Sequence, residues 1–420
     1  MGNAHSPPTD PRFMPAARAF TQKELDDLES LFESLAAQSN SNGLYISPNV
    51  FQIYLGLKGP LAERLFNLVT QHRKDHQLTY EDLVIAKGTY EKGAKDEIEE
   101  FIYQLLDVNG DHKVGRADLE SVHMMMFDNV FHGNVSEPGS SSHQDIMGVF
   151  LKAATFSLFD NKSAENFMSF EDFRNWCLLI PSARKFLGSL LMPPDPGRAG
   201  RQVPHLVHME NIDSKMLLLR REYAWHIGGA LSQQELEEWR LLYHSAFNGL
   251  SFNTFLGCIS NGEGPKVLII KDREGYIYGG YASQPWERHG DFYGNMKSFL
   301  FQLYPKASIF KPTGASANIQ WASFFLFSSI PNGIGFGGSV NHFGLFISAG
   351  FDHGHTYACT TFGNPCLSKA NQIYPEVIEC WVVIRNVKQE RRDAAIGTVL
   401  DRFKEDRHML NMVGLANSTE

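Results

Sequence analysis

Cysteine is scarce: five residues among 420 (Cys177, Cys258, Cys359, Cys366 and Cys380), odd in number and with no CxxC pair. That excludes a disulfide framework or a structural zinc module and fits a reduced, intracellular setting. Long apolar runs are also missing. The longest, Trp321-Ala322-Ser323-Phe324-Phe325-Leu326-Phe327, falls far short of the ~20 residues a spanning helix needs, so no bilayer crossing is expected. Basic charge is in deficit: 38 lysines and arginines face 47 acids, a net charge of −9, which argues against a nucleic-acid binder. Residues 1–20 lack an apolar h-region, so no secretory signal is expected. No G-x-S-x-G, H-E-x-x-H or kinase motif set occurs. The glycine-rich stretch Gly333-Ile334-Gly335-Phe336-Gly337-Gly338-Ser339 has no phosphate-loop lysine and reads as tight turns between strands. No enzymatic activity is expected.

What is present begins at the first residues. Met1-Gly2-Asn3-Ala4-His5-Ser6 fits M-G-x-x-x-[ST], the pattern for N-myristoylation of Gly2. Pro7, Pro8 and Pro11 keep the segment extended and accessible. One myristoyl chain holds a membrane only marginally, and no polybasic run follows Ser6, so the second contact is expected to be a protein partner.

A 420-residue chain has room for two or three domains at roughly 150 residues each. Residues 21–191 read as helical, opening with a capping box at Thr21 and Glu24 and an apolar face of Leu25, Leu28, Leu31, Phe32 and Leu35. Four helix–loop–helix units follow one another. The second pairs 61–72 with a helix from Thr79, the third 94–106 with 118–127, and the fourth 146–159 with 170–180. This is the rhythm of EF-hands.

One loop keeps a calcium pattern. Positions 1, 3, 5 and 12 of such a loop need side-chain oxygens, position 7 a carbonyl and position 8 a hydrophobe. Asp107, Asn109, Asp111, Asp118, the Lys113 carbonyl and Val114 fill those places. His112 stands where glycine normally makes the turn, and Asp118 replaces the bidentate glutamate, which weakens calcium and helps magnesium. One Ca2+ or Mg2+ is the expected ligand. The other three loops lack a carboxylate set and read as scaffolds.

Residues 192–204, rich in proline and glycine, read as a linker, and residues 205–230 as a helical lead-in. Residues 210–226 and 231–247 carry helical periodicity. Strand-like runs follow at 266–271, 276–281, 298–303, 323–327, 345–347 and 377–384. Asp352-His353-Gly354-His355 with Cys359 and Cys366 offers metal-liking side chains at irregular spacing, matching no zinc pattern. Residues 385–420 form a terminal helix and tail whose stripe, Ile396, Val399, Leu400, Phe403 and Leu410, docks either on the chain's own β-rich half or in a partner's groove.

The segment 231–384 resembles the TLDc domain family. The resemblance runs in order through Trp239, Leu242-Tyr243-His244-Ser245, Gly249-Leu250-Ser251, Leu268-Ile269-Ile270-Lys271-Asp272, Ser283, Trp286 and Phe299-Leu300-Phe301. It continues through Gly335-Phe336-Gly337-Gly338, Thr361-Phe362-Gly363-Asn364, Leu367-Ser368 and Ile378-Glu379-Cys380-Trp381. Phe252 and Phe255 stand where the family more often has leucine, a change of packing. With the Gly2 signal and the EF-hand-like half, the chain is similar to the mTOR-associated, lysosomal branch of that family.

The resemblance implies a multidomain α+β chain: an all-α EF-hand-like half, a TLDc β-sandwich flanked by helices, then a C-terminal amphipathic helix. It also implies a non-enzymatic adaptor at the cytosolic face of lysosomes, also found in the cytoplasm, that binds the V-ATPase and serves mTOR signalling. Two other readings stay open: a myristoylated calcium sensor with another target, and an oxidative-stress protection factor using Cys359 or Cys366. Glu379, in the family's Glu-x-Trp ending, reads as a buried acid tying strands together.

Overall fold

A computed structural model of the chain describes residues 10–39, 41–131, 142–162, 164–192, 198–209, 212–324 and 330–385. Gly2 and the stripe Ile396, Val399, Leu400, Phe403 and Leu410 lie outside the described residues.

Helices Gln22–Gln38 and Pro48–Leu55 form the first helix–loop–helix unit, and Pro60–Val69 and Tyr80–Lys92 the second. Lys95–Leu106 and Arg116–Phe131 form the third, and Ser142–Leu151 and Phe170–Leu179 the fourth. Side-chain oxygens of Thr21, Ser47, Thr79 and Ser169 each accept an amide hydrogen bond at a helix start, satisfying donors the first turn leaves free. The loops join in pairs. Ile46 donates its amide to Leu78 at 2.8 Å, and Met168 donates to Val114 at 2.9 Å.

The fourth unit departs from the expected 146–159 helix. It stops at Leu151, and Leu158–Asp160 (β1) pairs with Glu165–Phe167 (β2) as a hairpin. Asp172 accepts the Ser157 amide at 3.1 Å, which fixes that backbone outside a helix.

The second half is built on a seven-stranded sheet. Its strands are His205–Val207 (β3), Glu238–His244 (β4), Lys266–Asp272 (β5), Ile277–Ala282 (β6), Phe299–Tyr304 (β7), Ser308–Phe310 (β8) and, last in sequence, Pro375–Ile384. Between them, Gln320–Ser323 (β9), Gly333–Phe336 (β10), Leu345–Ser348 (β11), Gly354–His355 (β12) and Gln372–Ile373 (β13) make a five-stranded antiparallel sheet, and Pro375–Ile384 becomes β14. The seven-stranded order is β3-β4-β14-β5-β6-β7-β8, with only β3–β4 parallel.

Two of these strands replace other expectations. Residues 238–244 are strand, not helix, because they pair with β14 and bury Trp239, Leu241 and Tyr243. Residues 333–336 are strand rather than turn. A Cβ on Gly333 would lie 2.1 Å from the Ile347 carbonyl oxygen, so that pairing leaves no room for a side chain.

The two sheets face each other across Leu268, Ile270, Tyr278, Leu300, Ile334, Phe336, Leu345 and Ile347. The other face of the seven-stranded sheet is apolar too. Val267, Ile269, Phe299, Phe301, Trp381 and Val383 share one continuous core with the helical half. A bulge between Cys380 and Trp381 skips Leu242, so Tyr243 points between the sheets while Leu241 and Trp239 point at the helices. Strands buried on both faces read as unbroken apolar runs, as Val267-Leu268-Ile269-Ile270 does. The junction is close: Trp225 packs its ring on Phe127, Phe131 and Phe150 at 5.8, 6.0 and 6.0 Å. Its indole donates to the Gly200 carbonyl at 2.7 Å, which anchors the chain just beyond the proline-rich stretch.

Candidate functional site

Helix Lys95–Leu106 ends in the calcium-like loop, and Asp107 organises it. Its Oδ1 accepts the amides of Gly110 (2.9 Å) and Asp111 (3.1 Å), and its Oδ2 accepts that of His112 (3.1 Å). Asn109 accepts the Asp111 amide at 2.8 Å, Asp111 the Lys113 amide at 2.9 Å, and Asp118 the Gly115 amide at 2.9 Å. Gly110 (φ 77°) and His112 (φ 65°) both adopt the left-handed conformation, so the histidine takes the turn that glycine usually makes. Burial pushes the Asp118 carboxyl up, against a hydrogen bond from Gly115.

Two of the loop's charged side chains are paired within the protein. Lys113 pairs with Asp160 at 2.5 Å and lies over the Phe167 ring. Asp107 pairs with Arg64 at 3.0 Å. The donors are hard oxygens of the kind calcium and magnesium take. Yet among the described residues no three His, Cys, Asp or Glu side chains gather as a metal set. Asp107, Asn109, Asp111 and Asp118 each accept backbone amides within the loop or at its edge, so the loop is held by its own hydrogen bonds.

Glu379, on the helical face of β14, is completely buried. It accepts the amides of Leu218 and, at 3.2 Å, Leu219, together with the Trp381 indole N–H at 2.9 Å. Burial pushes its carboxyl up, while these donors and His244 at 3.5 Å oppose that shift. It therefore ties the lead-in segment to the sheet and faces the neighbouring strand β4 through His244. His244 Nδ1 accepts the Ala246 amide at 3.1 Å, which leaves its Nε2 facing the carboxylate.

The remaining reactive side chains are similarly committed. Ser348, Asp352 and His353 cluster, but the same ring nitrogen, Nδ1, faces both the Ser348 hydroxyl (3.4 Å) and Asp352 (2.8 Å). A proton relay needs those partners on opposite nitrogens. Burial pushes the thiols of Cys359 and Cys366 up, lowering the thiolate that a redox or nucleophilic role requires. A cavity of about 440 Å³ lies where the helical half meets the sheet, lined by Asp145, Lys215, Arg220, Tyr223 and Tyr304 among others, with no thiol or imidazole. Among the described residues no helix is long and apolar enough to cross a membrane.

Neither the pairing of Arg64 with Asp107 nor the burial of His226 is signalled by the sequence. Arg64 is one cation on a helix that buries Leu61, Ala62, Leu65, Phe66, Leu68 and Val69, and nothing in the sequence links it to Asp107. His226 follows Trp225 in the lead-in helix Arg221–Gly228 with no motif around it.

Residues 212–384 match the TLDc domain family, a span that takes in the lead-in helix, the five-stranded sheet and every strand of the seven-stranded sheet but β3. MTOR-associated protein MEAK7 of Danio rerio is 35% identical over 179 residues, 42% of this chain and 39% of that protein. The MEAK7 of Xenopus laevis is 32% identical over 221 residues, 52% of this chain and 47% of that protein. Oxidation resistance protein 1 of Bos taurus is 32% identical over 143 residues, 34% of this chain and 16% of that protein. The match thus spans less than half the length of each of these relatives. Among solved structures, a chain of a PP2A PR70 holoenzyme aligns with 40% of this chain and 57% of its own at 17% identity, with a TM-score of 0.29.

Proposed function

Because residues 212–384 match the TLDc domain family, we propose that this chain is a non-enzymatic regulator that binds the V-ATPase and supports mTOR signalling. The observation carrying this reading is the likeness to proteins named for mTOR association, together with the family match over residues 212–384. Glu379 is consumed in backbone hydrogen bonds, and Ser348, Asp352 and His353 are arranged without a relay.

In this reading the helical half is an EF-hand-like scaffold built on paired loops, and it covers the free face of the TLDc sheet. A myristoyl group on Gly2 tethers the chain weakly to the cytosolic face of the lysosomal membrane. The pump supplies the second contact. The stripe Ile396, Val399, Leu400, Phe403 and Leu410 is the amphipathic element offered to a partner groove.

The test is capture of V-ATPase from solubilised lysosomal membranes, using the full chain and a variant lacking residues 385–420. Retention of the pump by the full chain and its weakening in the variant are expected. Absence of pump with both would sink the reading.

A further inference from the structure

We infer that the guanidinium of Arg64 is the resident cation of the 107–118 loop, and that the loop holds its fold with no metal. A buried carboxylate needs either a counter-charge or a full set of donors. Asp107 has both: three backbone amides and one guanidinium, with its side chain 5% exposed and that of Arg64 15% exposed.

The placement of Arg64 is specific to the loop. Nη2 donates to Asp107 Oδ2 at 3.0 Å, and Nε donates to the Gln104 carbonyl at 3.1 Å. That carbonyl belongs to the last turn of helix Lys95–Leu106, where acceptors have no partner within the helix. Nη1 stands 3.5 Å from where a Cβ on Gly110 would lie, so the planar head also covers the left-handed turn. One fork therefore neutralises position 1 of the loop, caps the helix that leads into it and screens its tightest bend. A divalent ion recruited to Asp107 would meet this fixed positive charge. Lysine could supply the charge but not the two separately directed donors.

The account is tested on the full chain by thermal unfolding in 1 mM calcium and in chelator, with wild type, R64Q, R64K, D107N and R64Q/D107N. Wild type should melt at the same temperature in both conditions and show no saturable calcium binding in calorimetry below millimolar. R64Q should melt lower in chelator by about 2–4 °C, with R64K between it and wild type. The double variant should melt no lower than the worse single variant, because each single change leaves the other partner unmatched. A calcium-induced rise in wild type would overturn the inference even if R64Q failed to fold. So would additive losses in the double variant, or R64Q melting like wild type.

Discussion

Acid should weaken this protein through two buried histidines. His226 is fully buried at the junction of helical half and sheet, against the Phe150 ring. Neither of its ring nitrogens finds a partner in good hydrogen-bonding geometry, although the Ser308 backbone is near. Burial lowers its pKa from 6.5 to about 3. His123 is also fully buried, holding the Leu119 carbonyl at 2.8 Å, with a pKa lowered by burial to about 4.

The sign follows from comparing folded and unfolded chains. Unfolding restores an ordinary histidine that takes a proton near pH 6.5, whereas the folded protein stays neutral far below that. The stability from keeping each ring neutral is present above pH 6.5 and is lost as pH falls below it. At pH 5 the loss is about 2 kcal/mol for each histidine, or roughly 4 kcal/mol together. That is a large share of the 5–15 kcal/mol typical of a folded domain. The measurement is urea unfolding of wild type and His226→Leu at pH 7.5 and pH 5.0. The variant should lose about 2 kcal/mol less than wild type between the two values, because carboxylate titrations are common to both and cancel. Equal losses would refute the assignment.

Other outcomes follow from the same junction. Replacing Glu379 by alanine leaves the Leu218 and Leu219 amides and the Trp381 indole without an acceptor. A cost of about 3 kcal/mol or more is expected, with hydrogen exchange at residues 217–219 accelerating before the rest of the sheet. Glu379→Gln, which keeps an acceptor, should lose less. A Cβ on Gly229 would lie 2.3 Å from the Ser182 amide nitrogen. Gly229→Ala should therefore lower stability by about 1–3 kcal/mol in a urea titration, by forcing helices Pro181–Leu187 and Arg221–Gly228 apart.

Much of the architecture was legible where local signals and burial agree. The capping box at Thr21 and Glu24 is present, because reciprocal hydrogen bonds over three residues need no tertiary help. The runs at 266–271 and 276–281 are the central strands β5 and β6 with their turn between them. Residues 238–244 misled because strand pairing with β14, some 140 residues away in sequence, outweighs their helical periodicity. The 333–336 run misled because close-packed strands and turns both select glycine. Loop 107–118 was recognisable from its oxygens, but its cation comes from position 64, a contact no spacing rule encodes. Nor could composition show that the helical half and the seven-stranded sheet share one core, since Val267 and Leu268 are equally apolar yet face opposite layers.

The central claim, a regulator of the proton pump, is tested most directly by ATP-driven acidification of vesicles carrying purified V-ATPase, with the full chain titrated in. The account predicts saturable binding to the pump and a change in acidification rate that follows occupancy. Vesicles that acidify at the same rate with no bound chain, at concentrations well above those in cells, would contradict it.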